Sequence, residues 1–412
     1  MKIARTTGLA ALLLAGALTM AACGSDNNSA TTTTPAAGTT SATTSAASVE
    51  SSGAASSDSS SADTGSAATG SSDTGSSAAA GGGATTFEGA GFTCATGSLA
   101  SSGSTAQGKA ISKWIIDYNA KCGATIADYG GGGSGKGVSD FIAKQTDFGG
   151  SDSALKDDQP AQAKERCGGN AAIDLPMVTG PVAMAYNLDG VDKLILTPEL
   201  LTGIFGGTIT TWNDPKIAAV NPGVTLPSVA IATVHRAEES GTTDNFTKYL
   251  TAAGGWTFEG GKAWTAPGGT AAQGNDGVGK AVAGTAGSIG YVEWGYAKDN
   301  NLHMAQIDNG GGAVELTAES AAKAIGAAKV VGTDGDLSLE IDFATKEPGA
   351  YPIVLVTYEI VCSAGNGDKA ALLKSFLGYT STDGQGTLDS VGAAPLPAEI
   401  QAKVIKAVQD LS

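Results

Sequence analysis

Histidine is nearly absent from this 412-residue chain, with only His235 and His303 present. That scarcity disfavours His-rich metal sites and leaves few candidates for a histidine general base. Positive charge is also short. The chain has 24 Lys+Arg against 40 Asp+Glu, a formal net charge of −16. Nucleic-acid binding needs a basic footprint and adhesion to anionic lipid needs a polybasic patch, and neither is here. The 60 glycines follow no collagen period. The apolar run near the start, Leu9 to Leu18, is too short to span a bilayer. Against these absences stand 42% hydrophobic residues, ample for a core, in a length that suits two ordinary domains.

The same apolar run, preceded by Lys2 and Arg5, has the form of a secretory signal over residues 1–22. It ends in Thr19-Met20-Ala21-Ala22-Cys23. Small residues just before a Cys look like a bacterial lipoprotein cleavage site, which would make Cys23 the lipidated N-terminus. An ordinary secretory signal that happens to contain a Cys is the plainer alternative. Residues 24–86 are almost all Gly, Ala, Ser and Thr, with no Lys or Arg. Such a segment buries too little apolar surface to offset its ordering entropy, so 23–86 is expected to be a lipidated, disordered tether. Its reach would be roughly 45 Å.

Four further cysteines remain: Cys94, Cys122, Cys167 and Cys362. An even number outside the cytoplasm points to two disulfides, with three possible pairings. Cys94 and Cys122 each precede a predicted strand, at 97–100 and 124–129. If those strands are parallel neighbours, the preferred pairs are Cys94–Cys122 and Cys167–Cys362. No cysteine spacing resembles a zinc site, and no metal or cofactor is expected.

The remaining body alternates helical and extended patterns. Ile111, Trp114, Ile115 and Tyr118 line one helical face, as do Val138, Phe141 and Ile142, and Phe246, Tyr249 and Leu250. Further strands are predicted at 173–187, 229–235, 288–293 and 352–361. Strands alternating with helices indicate an α/β fold. The strands at 173–187 and 352–361 are unusually long. Both crossing between two lobes is one explanation, and one large sheet is the other.

Three small-residue loops run directly into the three helices: Gly103-Ser104-Thr105-Ala106, Gly133-Ser134-Gly135-Lys136-Gly137 and Ser240-Gly241-Thr242. Small residues let a ligand approach the backbone, hydroxyls donate, and helix N-termini offer unpaired N–H groups at a positive dipole end. Any one such loop is commonly a plain N-cap. Three together would make an anion cradle if they converge. Arg236 stands at the end of a predicted strand and can grip an oxyanion through two parallel N–H bonds. Glu238 is placed to hold its guanidinium. Asp152 follows Phe148-Gly149-Gly150-Ser151.

Two rival motifs fail. Gly130 to Gly137 reads GGGGSGKG, close to the phosphate loop of nucleotide hydrolases, but Gly137 stands where the magnesium-binding hydroxyl belongs. No G-x-S-x-G elbow surrounds any Ser, which weakens a hydrolase reading.

The body resembles the periplasmic or lipid-anchored phosphate-binding proteins of bacterial high-affinity phosphate ABC transporters, the PstS family. The resemblance rests on Gly103-Ser104-Thr105, GGGSGKGVSDFIAKQTDFGGSD at 131–152 and LTGIFGGTITTWNDPKIAAVNPG at 201–223. HRAEESGTTDNFTKYL at 235–250, GNDGVGKAV at 274–282 and GSIGYVEWGYA at 287–297 complete it. It covers nearly all of 88–412. It implies a type II periplasmic-binding-protein fold, with two α/β lobes joined by a two-strand hinge. Lobe I would take 87–184 and 355–412, and lobe II 185–354. By position, it implies phosphate binding through the Thr105 hydroxyl, the Ala106 backbone N–H, Ser134, Ser240, Gly241, Thr242 and the cation of Arg236. Asp152 would accept a proton from the anion. Ala106 departs from an aromatic residue common in the family, and Glu238 from a common Asp.

A carboxylate that only accepts hydrogen bonds favours phosphate, which keeps a proton, over sulfate, which has none. The resemblance therefore implies capture of inorganic phosphate and its delivery to membrane-embedded permease subunits, without catalysis. A secreted phosphate-handling enzyme and a phosphate sensor are the alternatives. The expected place is the extracytoplasmic face of a cell membrane, through the lipid on Cys23, with the body a monomer. The pattern looks actinobacterial.

Overall fold

The structure, a computed structural model, describes residue 87 and residues 91–412. The expected signal at 1–22, the lipidated Cys23 and the tether at 24–86 lie outside the described residues. The elements in chain order begin with β1 (Ser101–Gly103), α1 (Gly108–Cys122), α2 (Ser134–Ile142), β2 (Phe148–Ser151), α3 (Gln159–Arg166) and β3 (Ala172–Asn187). The chain continues with β4 (Ile195–Leu196), α4 (Pro198–Phe205), α5 (Pro215–Val220), β5 (Ala232–Arg236), α6 (Gly241–Tyr249), β6 (Thr270–Ala272), α7 (Gly274–Gly284), β7 (Ser288–Glu293) and α8 (Trp294–Asp299). Short strands β8 (His303–Met304), β9 (Gln306–Asp308) and β10 (Ala313–Val314) lead to α9 (Ala318–Gly326), β11 (Lys329–Val330) and β12 (Leu339–Glu340). The last elements are β13 (Val354–Cys362), α10 (Ala370–Ser381) and α11 (Ala398–Asp410). Among the described residues, no helix is long and apolar enough to cross a membrane.

The main sheet follows the order β1-β2-β13-β3-β7-β5-β6, with β8 also on β3. β3 organises it. Its residues 172–181 pair antiparallel with β13 and its residues 182–187 with β7. Every residue of β13 is buried, and of β3 only the two ends are not, which explains their continuous apolar character. In hydrogen bonding, then, the two long strands belong to one continuous path. The predicted helical faces pack as their spacing requires: Ile111, Trp114, Ile115 and Tyr118 of α1, and Val138 and Phe141 of α2, are all buried.

Several predicted strands shift. β5 starts at Ala232 rather than 229, because Val229 and Ile231 bond instead to Trp212 and Thr210 of a neighbouring loop. The long strand predicted at 352–361 runs from Val354 to Cys362. The stretches 97–100 and 124–129 are extended but are not strands. They do run parallel: Thr125 N–H donates to Gly97 at 2.8 Å and Ala127 N–H to Leu99 at 3.0 Å. Their pairing closes into a ladder only at the single parallel bridge Ser102–Gly130.

That alignment brings Cys94 and Cys122 together in a disulfide, with Cα atoms 5.1 Å apart. Cys167–Cys362 is the second, with Cα atoms 5.5 Å apart. It joins the end of α3 to the end of β13 inside a small satellite core with Val138, Phe141, Ala163 and Ile360. Arg166 covers this core, its guanidinium 4.1 Å from the Phe141 ring centre and 2.8 Å from the Thr146 carbonyl. The second disulfide closes a sequence separation of 195 residues, against 28 for the first. Chain-entropy reasoning gives the longer loop the larger effect. Replacing Cys167 and Cys362 together by Ser is expected to lower stability by about 2–5 kcal/mol, and more than the same change at Cys94 and Cys122. Denaturant unfolding of the two double variants measures both numbers.

Candidate functional site

Three helix starts and one strand end meet at Arg236. The residue closes β5, and its backbone N–H donates to the Tyr291 hydroxyl of β7 at 3.0 Å. Its side chain is almost wholly buried. A guanidinium taken from water must find acceptors for its donors. One terminal nitrogen donates to Thr242 Oγ1 at 3.1 Å, the other to Thr105 Oγ1 at 2.9 Å and to the Glu238 carboxylate. Nε–H is buried and has no protein partner. Glu238 is itself anchored, accepting the Gly274 backbone N–H at the start of α7 at 3.1 Å.

The two threonines are crowded with donors. Thr105 Oγ1 accepts from Arg236, from the Asn275 backbone N–H at 3.2 Å and from the Asn275 side-chain amide at 3.1 Å. Thr242 Oγ1 accepts from Arg236 and, at 3.5 Å, from Asn275. A hydroxyl carries two lone pairs and one proton. With their lone pairs committed, both hydroxyls have their protons left to donate. Asn275 is held in turn by the Glu293 backbone N–H, which donates to its Oδ1 at 2.9 Å.

The second half of the cluster surrounds Asp152, one residue past β2. Ser134, the first residue of α2, accepts the Asp152 backbone N–H at 3.0 Å and the Gly241 backbone N–H at 3.1 Å. Its hydroxyl lies 3.3 Å from Asp152 Oδ2. Thr357 of β13 donates to Asp152 Oδ1 at 2.6 Å. Burial pushes the Asp152 carboxyl above the ordinary carboxylate value, while the hydroxyls of Ser104 and Thr357, the Arg236 charge and Ser134 pull it back. Glycine is required where α6 meets this group. A Cβ on Gly241 would stand 2.5 Å from both Asp152 Cβ and Ser134 Oγ.

The hydrogen bonds thus join Thr105, Ser134, Asp152, Arg236, Glu238, Gly241 and Thr242 into two linked groups. Two expected backbone donors, the N–H groups of Gly241 and Ala106, are engaged within the protein. The Ser240 hydroxyl caps its own helix, accepting from Thr242 N–H at 3.1 Å and Thr243 N–H at 3.3 Å. The Ala106 N–H donates to Ser104 Oγ at 3.0 Å. Asn275, Thr357 and Tyr291 are not among the site residues expected from the sequence. Asn275 had a visible signal, since Gly274-Asn275 opens α7 as the other small loops open their helices. Thr357 and Glu359 are also conspicuous as polar residues in the apolar run of β13. Among the described residues, no group of three or more His, Cys, Asp or Glu could hold a metal ion.

The arrangement brings together hydroxyl protons, a partly paired buried cation and a buried carboxyl, which is chemistry for a small oxyanion. Comparison with known proteins agrees with that character. Residues 76–383 match the PBP superfamily domain. The chain is 42% identical over 341 residues to phosphate-binding protein PstS 3 of Mycobacterium tuberculosis, covering 81% of this chain and 92% of that protein. It is 43% identical over 329 residues to PstS 2 of the same organism, covering 76% and 87%. A periplasmic phosphate-binding protein, PfluDING, solved with phosphate, superposes with a TM-score of 0.61 at 22% identity, over 74% of this chain and 92% of that one. That likeness shows a shared fold.

The raised Asp152 carboxyl has a consequence for stability. The folded chain holds this proton more tightly than the unfolded chain, so stability present at low pH is lost as pH rises through the ordinary carboxylate range and up to the folded value. Asp152→Asn removes that loss. In urea titrations of ligand-free protein from about pH 3.5 to about pH 7, the variant is expected to gain on the wild type as pH rises. A gap that moves the other way contradicts the assignment of burial as the dominant cause.

Proposed function

The chain belongs to the PstS family of phosphate-binding proteins, within the periplasmic-binding-protein superfamily and its type II fold, and on that premise we propose that it captures inorganic phosphate outside the cytoplasm for import by an ABC transporter. The observation that carries this reading is the buried guanidinium of Arg236, held by Thr105, Thr242 and Glu238 with its Nε–H unpaired.

Thr105 and Thr242 donate their hydroxyl protons to the anion, and Arg236 supplies its cation through the unpaired Nε–H and by exchanging threonine contacts for phosphate oxygens. The starts of α2 and α6 contribute Ser134, Gly241 and the dipole ends of their helices. Ala106 joins when its N–H exchanges the Ser104 hydroxyl for the anion, and Ser240 donates its hydroxyl proton while its lone pairs still cap α6. Glu238 keeps the guanidinium oriented. Asp152 accepts a hydrogen bond from the P–OH group that phosphate retains. Sulfate has no proton to give and would meet a buried carboxylate lone pair instead. A site built on such a contact rejects the unpaired analogue by roughly 10⁴–10⁵.

In this reading the site lies where residues 87–184 with 355–412 meet residues 185–354, and those two lobes close over the anion through contacts made only in the closed state. The closed form presents itself to membrane-embedded permease subunits, while the lipid on Cys23 and the tether to residue 86 hold the body near the membrane. One Arg with many neutral dipoles neutralises a bound dianion without a basic surface, in keeping with a net charge of −16. Binding proceeds without turnover. Of the two histidines, His235 stacks on Trp264 with its Nδ1 3.0 Å from the Arg236 carbonyl, and His303 stacks on Tyr186. Neither is placed to activate a nucleophile beside the anion.

Calorimetry on protein stripped of endogenous ligand tests the reading. Phosphate is expected to bind one to one and excess sulfate not to compete. Arg236→Met is expected to weaken phosphate binding at least about 30-fold, the loss typical when one partner of a buried charged hydrogen-bond pair is truncated. Asp152→Asn is expected to narrow the gap between phosphate and sulfate. Unchanged sulfate rejection in that variant would remove Asp152 from the selective role.

A further inference from the structure

A second buried acid lies beside this site and takes no part in the contacts described so far. Glu359 stands on β13 opposite Gly150 of β2. Two residues earlier on the same strand is Thr357, which donates to Asp152. Side chains two apart along a strand share a face. Continuing the register by one residue makes Asp152 the diagonal neighbour of Glu359, about 7–8 Å away between Cα atoms.

Glu359 is 1% exposed, and neither carboxyl oxygen has a hydrogen-bond partner of good geometry. Gln107 Oε1 is likewise buried and unpartnered, while the Gln107 amide nitrogen donates to the Tyr129 hydroxyl at 3.1 Å. A Cβ on Gly150 would collide with both Gln107 and Tyr129, so the glycine is what lets them close over this corner. The titratable groups facing Glu359 are Asp152, from the end of β2, and Tyr129, from the segment before α2. Gln107, at the start of α1, is neutral, and β3 presents Leu175 opposite. Burial pushes the Glu359 carboxyl up to about 8, the Gln107 amide opposes this, and the charge of Asp152 adds to it. Burial and the proximity of Glu359 also push the Tyr129 hydroxyl well above its ordinary value, so the phenol stays neutral. A buried carboxyl with neither oxygen partnered is better matched to such a site in its neutral form than as a charge.

We propose that Glu359 is a positioning residue for anion capture, acting in its neutral form so that no carboxylate charge beyond Asp152 and the Arg236-paired Glu238 is set against the bound phosphate. The proposal rests on the phosphate reading above. Arg236 already serves Glu238 and, through space, Asp152. A further carboxylate charge on the Asp152 face would act against a dianion with no second guanidinium to offset it. Phosphate binding should therefore hold the proton on Glu359, and deprotonation of Glu359 should weaken binding.

The test is calorimetric phosphate binding to wild type and Glu359→Gln from about pH 7 to about pH 9.5; free phosphate passes from a mixture of mono- and dianion to mainly dianion across the lower part of this range, a change common to both proteins, so the comparison is between their two profiles. The Gln side chain is close in shape to Glu but cannot ionise. Wild-type Kd is expected to rise above about pH 8, approaching tenfold per pH unit, and the variant's profile to stay flat by comparison. Wild type should also take up a fraction of a proton on binding near pH 8, read from the dependence of the binding heat on buffer ionisation enthalpy. That second measurement needs only the wild type and decides the matter if the variant does not fold. Equal pH slopes, or binding without proton uptake, overturn the proposal while leaving phosphate capture standing. No phosphate binding by the wild type at about pH 7 overturns the capture reading and the proposal with it.

Discussion

A guanidinium removed from water has five N–H donors to satisfy and a charge to offset, and at the junction of four elements Arg236 finds acceptors for its terminal nitrogens while its Nε–H stays unpaired. Glu238 answers the charge from the same loop, and Thr105 and Thr242 answer the donors from two different helix starts. This constraint explains why the surrounding residues are small and hydroxylated. Larger side chains would hold the helix starts away from the arginine, and apolar ones would leave its donors unpaired, at a cost of about 1–3 kcal/mol or more for a charged group. It also explains Asn275. An amide that donates to both threonines from α7 fixes their lone pairs and so directs their protons elsewhere.

The fold delivers these groups through β3 and β13. β13 lies between β2 and β3, so Thr357 and Glu359 reach the end of β2, where Asp152 stands. β3 continues past β13 to pair with β7, and β7 pairs with β5, which ends at Arg236. The carboxyl and the cation therefore come from opposite ends of one hydrogen-bonded path and are joined through the Ser134–Gly241 contact between two helix N-termini. Close approach there depends on Gly241 having no Cβ. The same dependence on missing atoms recurs at Gly150, which makes room for Gln107 and Tyr129 beside Glu359.

Much of this was legible in the sequence, for identifiable reasons. The faces of α1 and α2 follow from apolar spacing alone, and the long strands announce themselves by continuous burial. The candidate cluster could be assembled from the recurrence of small polar loops before helices, and Arg236 stood out as a cation beside one of them. The boundary of β5 was not legible, because Val229 and Ile231 are apolar but spend their hydrogen bonds on the 210–212 loop. Nor were the internal partners of Ala106 and Ser240, since whether a hydroxyl caps its own helix depends on backbone geometry that composition does not carry. Thr357 and Glu359 interrupt the apolar run of β13, but such a run is read for its burial and not for its exceptions. A polar residue inside an otherwise buried strand is costly unless it is partnered, and that cost was the clue.

The most direct test of the account is a crystal structure of the protein grown with phosphate. The account predicts one anion bonded to Arg236 and to the hydroxyls of Thr105, Ser134 and Thr242, with an Asp152 oxygen at short hydrogen-bond distance from the protonated phosphate oxygen and Glu238 still on the guanidinium. Phosphate bound elsewhere, with the Arg236 contacts to Thr105 and Thr242 unchanged, would contradict it.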